Sequence, residues 1–202
     1  MPRHSITLES PWNRIRLVPP SAEDDEAFAG CRTHPISRRY LRFLPTTMTT
    51  EEARLFREKR AEESDRVDFY IQYTKEDGTT SFGGNGGYFH IDSANLACES
   101  GIIVHPDLHG KNIATELFYV LLRHIFEDKK LHRVMFITAS DNVGMLGWLE
   151  KVAGATLEGE MREAWKGLDG KFASAKAYSI LEGEWWDGVK RLEDRMNRAL
   201  SK

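Results

Sequence analysis

No apolar run in the 202-residue sequence approaches the length needed to cross a bilayer, so no spanning helix and no membrane partner is expected. Charge of one sign is not in excess either. The formal net charge is -3, which gives no global attraction to nucleic acid or to an anionic membrane surface. Cysteine is scarce: Cys31 and Cys98 stand alone, in no metal or redox spacing, as in a protein kept reduced. The opening residues, MPRHSITLESPWNR, hold no apolar signal core, and a cytoplasmic location is the simplest reading. There is no internal repeat and no low-complexity linker. One domain over residues 1–202, with room for a sizeable core, is therefore expected. The Gly-Lys-Ser/Thr run of a Walker loop and the Gly-x-Gly-x-x-Gly spacing are both missing, which counts against a nucleotide site of either kind. His105 and His109 are four apart, but in a proline-containing loop with no further ligand in view, so no metal is expected.

What is present is a sequence of alternating patterns. Residues 14–18 (RIRLV) read as a strand stopped by Pro19-Pro20. Ser21 reads as the cap of a helix through Ala29, with Glu23, Asp24 and Asp25 in its first turn. Thr49 or Thr50 caps a second, highly charged helix that belongs on the surface. Strands follow at 67–73, at 81–91, where four glycines interrupt the pattern, and at 97–104. The glycines Gly83, Gly84, Gly86 and Gly87 suggest a bulge, or else a close approach by a substrate. Ile113, Leu117, Leu121, Leu122, Ile125 and Phe126 repeat at helical spacing toward a core. RVMFITA (133–139) is an apolar strand covered on both faces, and 143–152 is a helix ended by Gly154. Strands at 156–165 and 175–181 and an amphipathic helix at 182–200 complete the chain. The fold class is α/β, with a mixed, mostly antiparallel sheet of about seven strands flanked by helices.

The informative stretch is HPDLHGKNIATEL, residues 105–117. A strand ends in a short loop, and a helix starts at once. The first turn of a helix exposes unpaired N–H groups at the positive end of its dipole, and this is an anion site. Gly110 lets the backbone come close to a ligand, Lys111 adds a charge, and Asn112 tolerates a left-handed conformation. A plain strand-to-helix turn is the competing reading of the same residues.

The run His109-Gly110-Lys111-Asn112-Ile113-Ala114, followed by the apolar strand and a helix opening at Asn142, resembles the GNAT family of acetyl-CoA-dependent N-acetyltransferases. That family shows Arg/Gln-x-x-Gly-x-Gly/Ala at this helix start; here His109 and Asn112 depart from it. SDNVGMLGWLEKVAGATLEGEMREAW (140–165) looks like the subgroup that acetylates ribosomal-protein N-termini and small amines. In place of the usual Gly-aromatic pair it has Gly154-Ala155.

The resemblance implies that acetyl-CoA is the co-substrate. His109, Gly110, Lys111, Asn112, Ile113, Ala114 and Thr115 would cradle its pyrophosphate. Ile102, Ile103 and Val104 would bind its pantetheine arm through their backbone, and Asn142 would lie near the arm or the thiol. The acceptor would be a small-molecule amine or a protein N-terminus, and the protein a monomer or homodimer. Chemistry needs a base for the amine proton, and Glu99 is the candidate; an ordinary hydrogen-bonded strand glutamate is the alternative. Alternation puts Glu99, Gly101 and Ile103 on one face, with space left at Gly101. No general acid is assigned, because the 143–152 helix carries no hydroxyl; Tyr88 and Tyr178 are the guesses, each with an ordinary strand aromatic as the alternative. The alternative function is an acyl-CoA-binding or sensing domain without efficient turnover.

Overall fold

Strand-forming and helix-forming runs alternate along the chain, and the computed structural model, which describes residues 4–201, assembles them into one twisted sheet with helices on both faces. The elements in order are β1 (Leu8–Glu9), β2 (Ile15–Val18), α1 (Asp25–Thr33), α2 (Pro35–Arg38) and α3 (Thr50–Glu62). Then come β3 (Arg66–Thr74), β4 (Thr80–Asp92), β5 (Ala97–Val104), α4 (Ile113–Arg123) and β6 (Arg133–Ala139). The chain closes with α5 (Val143–Trp148), β7 (Thr156–Lys166), β8 (Phe172–Leu181) and α6 (Glu182–Leu200). The sheet is mostly antiparallel, as expected, with eight strands in the order β1-β2-β3-β4-β5-β6-β8-β7, one more than the seven runs seen in the sequence. The extra one is β1, two residues paired to β2, too short to carry any alternation.

Every neighbouring pair in this sheet is antiparallel except β5 and β6. That parallel pair is short. It joins Ala97, Cys98 and Glu99 to Arg133, Val134 and Met135, and then the two strands part. β6 stays paired to β8 along its whole length, and β5 stays paired to β4 from Val104 back to Glu99. The result is a gap in the middle of the sheet, closed at Glu99 and open at Val104.

α4 holds this arrangement in place. Ile113, Leu117, Leu121, Leu122, Ile125 and Phe126 are all at most 2% exposed, so the periodic apolar stripe is the core face. Each such side chain contributes about 1.5–3 kcal/mol by leaving water. The helix is regular only to Arg123 and widens into a π-turn at His124–Asp128, where His124 Nε2 meets the Tyr88 hydroxyl at 3.3 Å. The 143–152 helix likewise becomes a π-turn at Leu149–Ala153 and ends on Gly154, left-handed at φ 72°.

The glycines of β4 have a packing reason. A Cβ at Gly84 would lie 2.1 Å from the Ile103 carbonyl oxygen, and one at Gly87 would lie 2.2 Å from that of Val67. The β3–β4 register also slips between Ile71 and Gln72, opposite Gly83 and Gly84. The bulge reading holds here: side chains would push β4 off both neighbours.

Candidate active site

The gap between β5 and β6 opens into a cleft of about 550 Å³ that runs along the start of α4. Its floor is Ile102, Ile103 and Val104; its far end is His109, Gly110, Asn112, Ile113, Ala114 and Thr115; Asn142, Met145 and Trp148 form one wall. A void this size takes most of a ligand arm, whereas a tighter space of about 40 Å³ beneath α1 and α3, beside Tyr70 and Asn85, takes a few waters.

Two features make the far end an anion site. Gly110 and Asn112 both have left-handed backbone, at φ 77° and 61°, and this turns the loop back on itself before α4 begins. The N–H groups of Gly110, Asn112, Ile113, Ala114 and Thr115 then find no acceptor among the described residues. These are the orphan donors of a helix start, pointing where the dipole is positive. The loop is held from behind. Arg14 donates to the Lys111 carbonyl at 2.7 Å and lies 3.6 Å from Glu116, whose carboxylate is fully buried and accepts from the Ser10 hydroxyl at 2.5 Å. Burial pushes the Glu116 carboxyl above its ordinary range, with Ser10 and Arg14 pulling the other way.

Along the cleft floor the backbone is also short of partners. In an antiparallel ladder alternate residues turn their N–H and C=O toward one neighbour and the rest toward the other. β5 loses its second neighbour after Glu99, so the β6-facing groups of residues 101–104 have no strand to pair with. His109 takes part of that demand, its Nε2 lying 3.0 Å from the Val104 carbonyl oxygen.

The side walls are fixed by local hydrogen bonds. Asn142 caps α5, accepting from the Met145 N–H at 3.3 Å and donating to Thr138 at 3.0 Å. Trp148 donates to the Thr115 hydroxyl at 3.0 Å, which ties α5 to the first turn of α4. No aspartate or glutamate is among the residues lining the cleft, while Arg39 and Arg195 are.

Of the residues expected from sequence, ten meet in this cleft: Ile102, Ile103, Val104, His109, Gly110, Asn112, Ile113, Ala114, Thr115 and Asn142. Lys111 does not. It faces a separate groove with Tyr73, Lys75, His105 and Asp107, because the left-handed turn throws it to the opposite side. Glu99 sits at the closed end of the gap, outside the lining residues, with His90 Nδ1 3.2 Å from its carboxylate. Burial raises its pKa above the ordinary glutamate value, and His90 opposes the rise. The space anticipated over Gly101 is bordered by Phe89, whose ring a Cβ there would meet at 3.5 Å.

Neither guessed acid reaches the cleft. The Tyr178 hydroxyl donates to Glu150 at 2.6 Å, and Tyr88 is buried against His124. Sequence reasoning missed Ile36, Ser37, Tyr40 and Leu41, which with Arg39 form the wall supplied by α2 and the turn after it. The signal was faint: His34-Pro35 is a cap followed by a proline in the first turn, but only one helical turn follows. That wall is anchored by an Arg42–Asp141 ion pair and by the Leu168 N–H, which donates to the Arg42 carbonyl at 3.1 Å.

A parallel pair that splays over an uncapped helix start leaves unpaired backbone along the floor and at the far end of one cleft. The chain belongs to the GNAT acetyltransferases, since the model of the acetyltransferase (GNAT) domain matches residues 14–154. Solved structures agree. One designated an acetyltransferase is 30% identical, with a TM-score of 0.77 and 91% of each chain covered. Another so designated, from T. thermophilus, is 29% identical, with a TM-score of 0.76 and coverage of 90% of this chain and 93% of that one. The spermidine N-acetyltransferase of Vibrio cholerae, solved with CoA and spermine, shares the fold at 18% identity, with a TM-score of 0.75 over 86% and 98% of the two chains. No curated protein matched the sequence. Among the described residues no helix is long and apolar enough to cross a membrane, and no group of three or more His, Cys, Asp or Glu is placed to hold a metal ion.

Proposed function

We propose that the protein transfers the acetyl group of acetyl-CoA to a primary amine, on a small molecule or a protein N-terminus. The observation that carries this is the single cleft in which the unpaired backbone of β5 runs into the orphan N–H groups of α4. Its residues fit the co-substrate: an amide cradle for a pyrophosphate, a strand edge for an amide-bearing arm, and a lining free of carboxylates. Acetyl-CoA, when bound, supplies the acetyl group as an activated thioester.

The chain's own residues do the rest. The first-turn N–H groups of α4, with Gly110 and Asn112, hold the pyrophosphate oxygens. Ile102 and Val104, on either side of Ile103, orient the arm through their β6-facing backbone, and its reactive end points toward the closed end of the gap. Glu99 waits there. Its carboxylate takes the proton from the attacking amine, and a pKa raised by burial brings it nearer the basicity this step needs. Asn142 fixes α5 and thereby the wall beside the arm. Holding the amine against the thioester supplies the remaining rate advantage.

The 140–165 motif supports the subgroup that modifies ribosomal-protein N-termini and small amines. A second reading, acyl-CoA binding without turnover, draws on one observation: the only imidazole lining the cleft is His109, already occupied by Val104, and no carboxylate lines it. Thiol release from acetyl-CoA, measured across polyamines, amino acids and N-terminal peptides, separates the two. Amine-dependent release with an N-acetylated product supports the enzyme; binding of acetyl-CoA with no release for any amine supports the sensor.

A further inference from the structure

The cleft does not end at the α4 start. Beyond Asn112 it runs on to α6, a helix that lies outside the matched residues 14–154. Trp185, Leu192 and Met196 are buried and fasten α6 to the body, and Trp12 donates to Asn197 at 2.9 Å. On its exposed side are Arg191, Arg195 and Arg198, at i, i+4 and i+7, so they share one face. Arg195 lines the cleft itself, and with Arg198 and Asn112 it lines the groove that continues from it. Lys151 and Arg191 flank the same face; Asp194 is the one acid among its lining residues.

The three arginines are not equivalent. Arg191 is used in packing: its guanidinium donates to the Ala153 carbonyl at 3.1 Å. Arg198 donates through Nε to the Asp194 carbonyl at 3.1 Å, which leaves its terminal nitrogens free of partners among the described residues. Arg195 has no hydrogen bond and no ion pair among them at all. A guanidinium without a carboxylate, beside a cleft with no carboxylate in its lining, is a donor fork awaiting an anion.

We infer that Arg195 and Arg198 bind the 3′-phosphate on the ribose of CoA, so that α6 selects CoA over its dephosphorylated form. This rests on the reading of the cleft as a CoA site. Once the pyrophosphate sits on the α4 amides, the adenosine end must leave by the groove past Asn112, and Arg195 and Arg198 are the cations that line it. The phosphate monoester is dianionic and accepts the paired N–H groups of a guanidinium in bidentate fashion.

The test is equilibrium binding of CoA and of 3′-dephospho-CoA to the full-length wild type, Arg195→Ala, Arg198→Ala, the double variant and Lys190→Ala, with thermal unfolding to confirm that each is folded. Lys190 is exposed on the same helix and lines none of these grooves, so it controls for general surface charge. Wild type should prefer CoA by about 10- to 100-fold. The double variant should bind both ligands alike, at the wild-type level for dephospho-CoA, and Lys190→Ala should keep the preference. Equal binding of both ligands by wild type, or a preference surviving in the double variant, overturns the assignment of α6 while leaving the CoA site intact. Failure of both ligands to bind wild type overturns the CoA reading itself, and this assignment with it.

Discussion

Replacing Gly110 with valine tests the amide cradle at its hinge. Gly110 has φ 77°, and nothing lies within 4 Å of where its Cβ would stand. The substitution therefore acts through conformation and not through a clash with the body of the protein. An L residue pays roughly 1–2 kcal/mol in the left-handed region, and a β-branched one pays more. If the backbone stays in place, valine puts its methyl groups into the open space that the phosphate needs. If it relaxes to negative φ, the peptide swings and the orphan N–H groups no longer converge. Each N–H to a charged oxygen is worth about 1.5–3 kcal/mol, so losing two weakens CoA binding by roughly 10²- to 10⁴-fold. Calorimetric titration of CoA into Gly110→Val measures this, with circular dichroism to confirm the fold. Gly78→Val is the control, since Gly78 has φ 80° in the turn before β4 and lines none of the cleft. It should lose stability but not CoA. Unchanged CoA affinity in folded Gly110→Val would refute the cradle.

Three further outcomes follow from the site. Lys111→Ala should weaken CoA binding by less than about tenfold, because Lys111 is exposed and faces a different groove; a larger loss in the same titration would mean that the side chain dominates over the amides. Glu99→Gln should lower turnover near neutral pH by roughly 10²- to 10⁴-fold with CoA affinity intact, and raising the pH should recover part of it as more amine becomes neutral. The wild-type acid limb, set by a carboxyl raised by burial, should lie above the ordinary glutamate range, and near-normal turnover in the variant would remove Glu99 from the reaction. Glu116→Gln should flatten the dependence of melting temperature on pH. Native Glu116 holds its proton more tightly than the unfolded chain does, so its contribution is full below the ordinary glutamate value and is lost as pH rises through the higher native one. Parallel wild-type and variant curves across that range would show that Glu116 does not titrate with folding.

What could be read from the chain was whatever repeats locally. The apolar stripe of α4 is legible because it recurs at 3.6 residues and faces one core, and all six of its residues are buried. The left-handed Asn112 is legible from residue type, since asparagine adopts that conformation more readily than most. What could not be read depends on residues distant in sequence. Nothing near Gly101 shows that Phe89, across the β4–β5 ladder, borders it. Lys111 is drawn toward a phosphate by its charge, yet two left-handed residues on either side of it set its direction. The α2 wall is one turn long, too short for periodicity, and Arg195 looks like any charge on a solvated helix face until the cleft is assembled beside it.

Hydrogen exchange of the backbone amides, with and without CoA, tests the central claim most directly, because that claim concerns particular N–H groups. CoA should slow exchange at residues 110 and 112–115 and at the β6-facing amides of 101–104, while amides of the β3–β4 turn are unaffected. CoA that binds and leaves 110–115 unprotected, with protection elsewhere, would contradict it.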